Sequence, residues 1–194
     1  MKQQTKRIIA VILIVAISIS LGVAVDMGWT FIEKKLYPID YCEIVSEASE
    51  EFGVPEHIIY SIIKVESGFD PDAISPSDAR GLMQMIEPTF EWLTGDEHLG
   101  EHLPYRTVFE PEVSIRYGTY YLSYLYKKFD YNWQTAFAAY NGGEGNVTKW
   151  LSDSEHSDGK GNLTNIPFDE TRNYVKKVNS AIEAYKKLYP DIFQ

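Results

Sequence analysis

Glu66 is the residue of this chain best suited to acid–base chemistry. It stands in Val65-Glu66-Ser67-Gly68-Phe69, and Ile63, Ile62 and Ile59 lie three, four and seven positions before it. Those spacings bring four side chains onto one face, and the pattern predicts a helix from Pro55 to Glu66. A carboxylate on an apolar face is costly when ionised, so burial raises its pKa and gives it the profile of a general acid. A Glu at a helix end also has the option of curling back to water, and the stripe alone leaves both readings open.

Other reactive side chains are less well placed. Ser67 has no His companion, so it reads as a helix-end hydrogen-bonding residue rather than a nucleophile. His98 and His102 are four apart, but Gly100 lies between them and no third ligand accompanies them, which argues against a metal site. In the polar stretch from Ser152 to Asn165, the Gly and Glu that a calcium loop requires do not fall into register with Asp153. Cys42 is the only cysteine and offers no internal disulfide.

The elements that must position Glu66 are helical. From Asp40, the residues Tyr41, Ile44, Val45, Ala48 and Phe52 share one face and Gly53 stops the helix. Asp70 to Arg80 is rich in turn residues and should form an exposed loop leading into Gly81. A short helix is expected near Pro88, a long one from Pro111 to Phe129, and another from Tyr131 or Asn132 to Asn141-Gly142-Gly143. A last helix is expected over Pro167 to Leu188, with Tyr174, Val175, Val178, Ile182 and Tyr185 inward. No alternating strand pattern or repeat stands out, so the class is mainly α.

Lys2, Lys6 and Arg7 precede an uncharged run from Ile8 to Val25. That run is about 18 residues, or roughly 27 Å of helix, enough to cross a hydrocarbon core. Basic residues before the span and Asp26 after it place the amino terminus in the cytoplasm and the rest outside. The expected organisation is a cytoplasmic stub (1–7), an anchor (8–25), a juxtamembrane linker (26–39) and a catalytic domain (40–194). A cleaved signal peptide is the alternative, although Ser20-Leu21-Gly22 and Val23-Ala24-Val25 match a cleavage site weakly. The formal charge of −10 argues against nucleic acid as a partner. Fourteen Tyr and four Trp supply aromatic faces of the kind that bind carbohydrate, unless they serve only the core.

Four strings occur in one order: Glu66-Ser67-Gly68-Phe69, Gly81-Leu82-Met83-Gln84, Ala139-Tyr140-Asn141-Gly142-Gly143, and Ile166-Pro167 through Glu170-Thr171-Arg172-Asn173-Tyr174-Val175. Together they resemble the soluble-lytic-transglycosylase domain of glycoside hydrolase family 23, related in fold to goose-type lysozyme. The resemblance spans roughly Asp40 to Leu188 and implies a lysozyme-like helical domain after one N-terminal transmembrane helix. Asp78 stands where the family often has Gly, and Ser114 where Asn is usual.

The resemblance implies cleavage of the β-1,4 bond between N-acetylmuramic acid and N-acetylglucosamine in peptidoglycan glycan strands. It also implies attack by the muramic acid's own C6 hydroxyl, leaving a 1,6-anhydro end. Glu66 would act first as acid and then as base, and the chemistry requires no metal or organic cofactor. By matching positions, Tyr140 and Tyr174 would flank the acid, unless they are plain core. Gln84 and Asn141 would meet sugar hydroxyls or acetamides, and Met83 would form an apolar wall. Ser75 matches a family serine after the acid, or simply forms a turn before Pro76. Two alternatives stay open. In a hydrolytic muramidase, Asp70, Asp72 or Asp78 would activate water. A non-catalytic peptidoglycan-binding module is the other.

Overall fold

The computed structural model describes residues 2–193. The chain divides into two units between Pro38 and Ile39. The first is a single helix, α1 (Lys2–Leu36), and its stretch Arg7–Leu36 is long and apolar enough to cross a membrane. Large apolar side chains such as Leu13, Ile17, Leu21 and Val25 are exposed along it. The segment expected to be a linker is therefore helical through Leu36. Gly28 costs about 1 kcal/mol in a helix interior, and nothing after it breaks the helix until Tyr37 meets Pro38.

The second unit is built from α2 (Cys42–Phe52), α3 (Glu56–Glu66), α4 (Glu87–Thr94), a 3-10 turn (Tyr105–Phe109), α5 (Pro111–Lys128), α6 (Trp133–Gly142), α7 (Glu144–Leu151) and α8 (Asp169–Leu188). Among the described residues no strand forms, only three isolated bridges. The sequence pattern anticipates most of these helices within a residue or two; α7 and the 3-10 turn carry no periodicity long enough to announce them.

α3 is a central element. Six consecutive residues, Ile58 to Ile63, are buried, so the helix is covered on nearly every side rather than along one stripe. α8 packs against both α3 and α6, and α5 packs against α2 and α6. Each isoleucine of α3 withdrawn from water contributes about 1.5–3 kcal/mol, which fixes the helix that ends in Glu66. The start of α6 is set by Asn132, whose side-chain oxygen accepts from the amides of Gln134 and Thr135.

The loop between α3 and α4 folds back on itself through bridges from Arg80 to both Ile74 and Met85. Gly81 is required there twice over. Its φ is +76°, and a Cβ would lie 2.2 Å from the Val108 carbonyl oxygen.

Candidate active site

α3 delivers Glu66 to the edge of a cavity of about 250 Å³. Ser67, next to it, donates to the Leu82 carbonyl at 2.9 Å and accepts from the Phe69 amide at 3.2 Å. The serine thus joins the end of α3 to the Gly81–Gln84 segment, a helix-end role with a long-range partner added. The other wall comes from α6, whose Tyr140 hydroxyl donates to the Met83 carbonyl at 2.8 Å. α5 braces the same segment from below, because the Ser114 hydroxyl accepts from the Met83 amide at 3.1 Å. Ser114 is buried, so the departure from the family's Asn still supplies a polar anchor.

Glu66, Ser75, Gln84, Tyr140 and Asn141 all line this cavity. The Glu66 carboxyl opens onto the cavity, yet protein surrounds it densely enough that burial pushes its pKa up to about 7. The nearby Tyr174 hydroxyl works against that rise, and the charge of Glu170 reinforces it. A carboxyl poised near neutrality is suited to both giving and taking a proton.

Tyr174 is buried, and its hydroxyl lies beside Glu66 without completing a hydrogen bond to any described group. Burial, followed by the Glu66 charge, holds the ionisation of both Tyr140 and Tyr174 well above the ordinary phenol range. The two therefore remain neutral hydroxyls around the acid.

The remaining expected site residues divide by what their side chains already hold. Ser75 does both things open to it: its hydroxyl accepts from the Ala79 amide at 3.0 Å, closing a turn, and it lines the cavity. Gln84 spends its amide nitrogen on the carbonyls of Ala73 and Gly81, at 3.1 and 2.9 Å, leaving its side-chain oxygen for a ligand. Met83 is a correction. Its side chain is fully buried, pressed against α5 where Gly118 leaves room, so it forms no wall toward a substrate. Met83 serves the site through its main chain, which meets Tyr140 and Ser114.

Asp70, Asp72 and Asp78 do not line the cavity. Asp78 is bound instead to Arg80 through both carboxylate oxygens, at 3.0 Å each. Its φ of +61° explains why the family favours Gly there. The second acid in the cavity is Glu170, in the first turn of α8. It lies four residues before Tyr174, so helical spacing alone could have placed the two on one face. Thr89, Ile86 and Tyr121 are also in the lining, with no comparable signal in the sequence.

His98 and His102 do not meet the cavity; they partner Tyr120 and Asp96.

Comparison with known proteins identifies the relatives of the chain. The profile of the transglycosylase SLT domain matches residues 43–162. The chain is 34% identical over 158 residues to a soluble lytic murein transglycosylase of Salmonella typhimurium, covering 81% of this chain and 24% of that protein. It is also 34% identical over 167 residues to the membrane-bound lytic murein transglycosylase C of Serratia proteamaculans, covering 76% of this chain and 47% of the relative. Among solved structures, the 70 kDa soluble lytic transglycosylase of Escherichia coli superposes with a TM-score of 0.73 at 30% identity, over 84% of this chain and 27% of that one. An inactive mutant of a Pseudomonas aeruginosa lytic transglycosylase gives 0.71 at 31% identity, over 89% and 30%. The chain thus spans about a quarter to a half of the length of these relatives. The agreement of motif order, helical architecture and matched length places the chain in the transglycosylase SLT domain family, with its lysozyme-like helical fold.

Proposed function

We propose that this protein is a membrane-anchored lytic transglycosylase that cleaves the β-1,4 bond between N-acetylmuramic acid and N-acetylglucosamine in peptidoglycan. The observation that carries the reading is Glu66, held at the end of a buried helix with a pKa of about 7 and facing a polar cavity. In the proposed cycle, protonated Glu66 donates to the leaving glycosidic oxygen as the bond to the muramic acid C1 breaks. The C6 hydroxyl of the same muramic acid then bonds to C1 and returns its proton to the Glu66 carboxylate. One bond to C1 is lost and one formed, no water is consumed, and Glu66 ends as it began.

The neutral hydroxyl of Tyr174, buried beside Glu66 and outside the cavity lining, can complete a hydrogen bond to the Glu66 carboxyl. Gln84, Asn141 and Ser75 offer polar atoms to hydroxyl and acetamido groups. α1 would hold the catalytic unit at the membrane, a reading supported by its apolar length and by the membrane-bound relatives.

One observation favours a second reading, hydrolysis. Glu170 brings another carboxylate to the same cavity, where it would have to activate water across the bond. Mass spectrometry of a peptidoglycan digest run in ¹⁸O-water separates the two. Anhydro ends, one water lighter and unlabelled, are expected. Labelled reducing ends would overturn the transglycosylase reading and assign the base role to Glu170.

A further inference from the structure

Ile192 is 52% exposed, although Phe193 beside it is buried. The chain after α8 is held in that posture. The amides of Ile192 and Phe193 both donate to the Tyr189 carbonyl, at 3.0 and 2.9 Å. The Phe193 ring packs on Tyr60 of α3 at 5.7 Å and on Tyr189 at 6.1 Å. An aromatic plug in the core thus presents an aliphatic side chain to the outside.

Lys186 and Lys187, both exposed, lie in the last turn of α8, just before the half-buried Tyr189. Basic, aromatic and aliphatic side chains together suit a bilayer surface. The lysines reach headgroup phosphates, the phenol sits at the boundary, and the aliphatic chain enters the acyl edge. After Pro38, Asp and Glu are twice as numerous as Lys and Arg, so most of the unit repels anionic headgroups. Glu183 and Asp191 dilute the charge of the two lysines, which leaves part of any contact to Ile192.

The place of this corner decides what it meets. Burial, then the charge of Asp40, raises the ionisation of Tyr189, so the point where the chain arrives from α1 is close to the end of α8. Only residues 37–41 separate α1 from α2, and an extended stretch of that length reaches at most about 18 Å. A span in the bilayer therefore holds this corner near lipid at high effective concentration.

We propose that Lys186, Lys187, Tyr189 and Ile192 dock the catalytic unit on an anionic phospholipid surface and so fix the height at which Glu66 works. Glu170, in the first turn of the same helix, lines the Glu66 cavity and lies about 24 Å along the axis from Lys186. Docking by the far end of α8 keeps that wall within roughly this distance of the lipid, so the protein cuts the membrane-proximal layer of glycan. The inference rests on the membrane-anchored reading above.

The test uses the full chain with Cys42→Ser, in lipid nanodiscs of phosphatidylcholine with or without phosphatidylglycerol. A fluorophore is attached at Ile192→Cys or, as control, at Ser154→Cys in the loop after α7, and quenched by nitroxide carried on the lipid headgroup. In anionic discs the probe at position 192 should be quenched at least about twofold more than the probe at 154. The difference should shrink in discs of phosphatidylcholine alone. Each lysine at an anionic surface is worth about fivefold, so Lys186→Glu should release most of the docked population. If that variant melts early, the comparison of the two lipids decides alone. Equal quenching at both positions, none at 192, or no response to lipid charge overturns the docking surface while the chain remains in the discs. A chain that does not enter the discs removes the anchor, and the docking surface with it.

Discussion

The Tyr140 hydroxyl and the Met83 carbonyl, 2.8 Å apart, join α6 to the segment that faces Glu66. The tyrosine therefore acts at the site partly by holding backbone in place. Tyr140→Phe keeps the ring and removes the donor, leaving a carbonyl without its partner. The expected cost is about 1–3 kcal/mol, or a melting temperature lower by roughly 3–8 °C, with reduced turnover. An unchanged melting temperature would show that the bond does not hold the segment.

Glu66→Gln should abolish turnover, with a loss of at least about 10⁴-fold, because the amide neither gives nor takes a proton. Its effect on stability has the opposite sign. The folded-state pKa is raised from 4.5 to about 7, so the folded protein binds the extra proton between those values. The stability that this proton brings is fully present below about pH 4.5 and is lost as pH rises through 7. Thermal melts should therefore show Glu66→Gln more stable than the parent at pH 8, with the difference closing toward pH 5.

Glu170→Gln removes a negative charge that raises the Glu66 pKa. The alkaline limb of the pH–rate profile, where Glu66 loses the proton it must donate, should move to lower pH. A profile with an unmoved limb and a general collapse in rate would instead give Glu170 a direct chemical role.

Gly81→Ala and Gly53→Ala test backbone and space separately. Both glycines have positive φ, +76° and +70°, but only at Gly81 would a Cβ strike the protein. Gly53→Ala should cost about 1–2 kcal/mol from the left-handed backbone alone. Gly81→Ala adds the collision with Val108 and should lose more than about 3 kcal/mol, or fail to accumulate. Similar losses for the two would mean that the loop gives way easily.

The anchor is tested by fractionation. The full-length chain should pellet with membranes, resist carbonate extraction and have a mass that includes residues 1–25. A soluble product beginning between Ala24 and Trp29 would make the segment a signal peptide.

Sequence by itself determined the parts whose causes lie within a turn or two of chain. The isoleucines before Glu66 specify a helix and place the acid at its apolar end; Tyr131 and Asn132 bracket the start of α6; the uncharged run after Arg7 specifies an apolar helix. Four motifs in order were enough to identify the family, because each preserves local chemistry. Tertiary structure decided which faces meet. Helical period left Tyr140 and Tyr174 equally consistent with plain core, and only the packing of α8 against α3 and α6 brings them to Glu66. The same packing admits Glu170 as the second acid and leaves out Asp70, Asp72 and Asp78. Met83 reads as a wall in the motif, yet its direction follows from the space Gly118 opens in α5, far along the chain. A side chain's rotation about a loop backbone responds to whatever surrounds it in three dimensions, and neighbours along the sequence do not specify those surroundings.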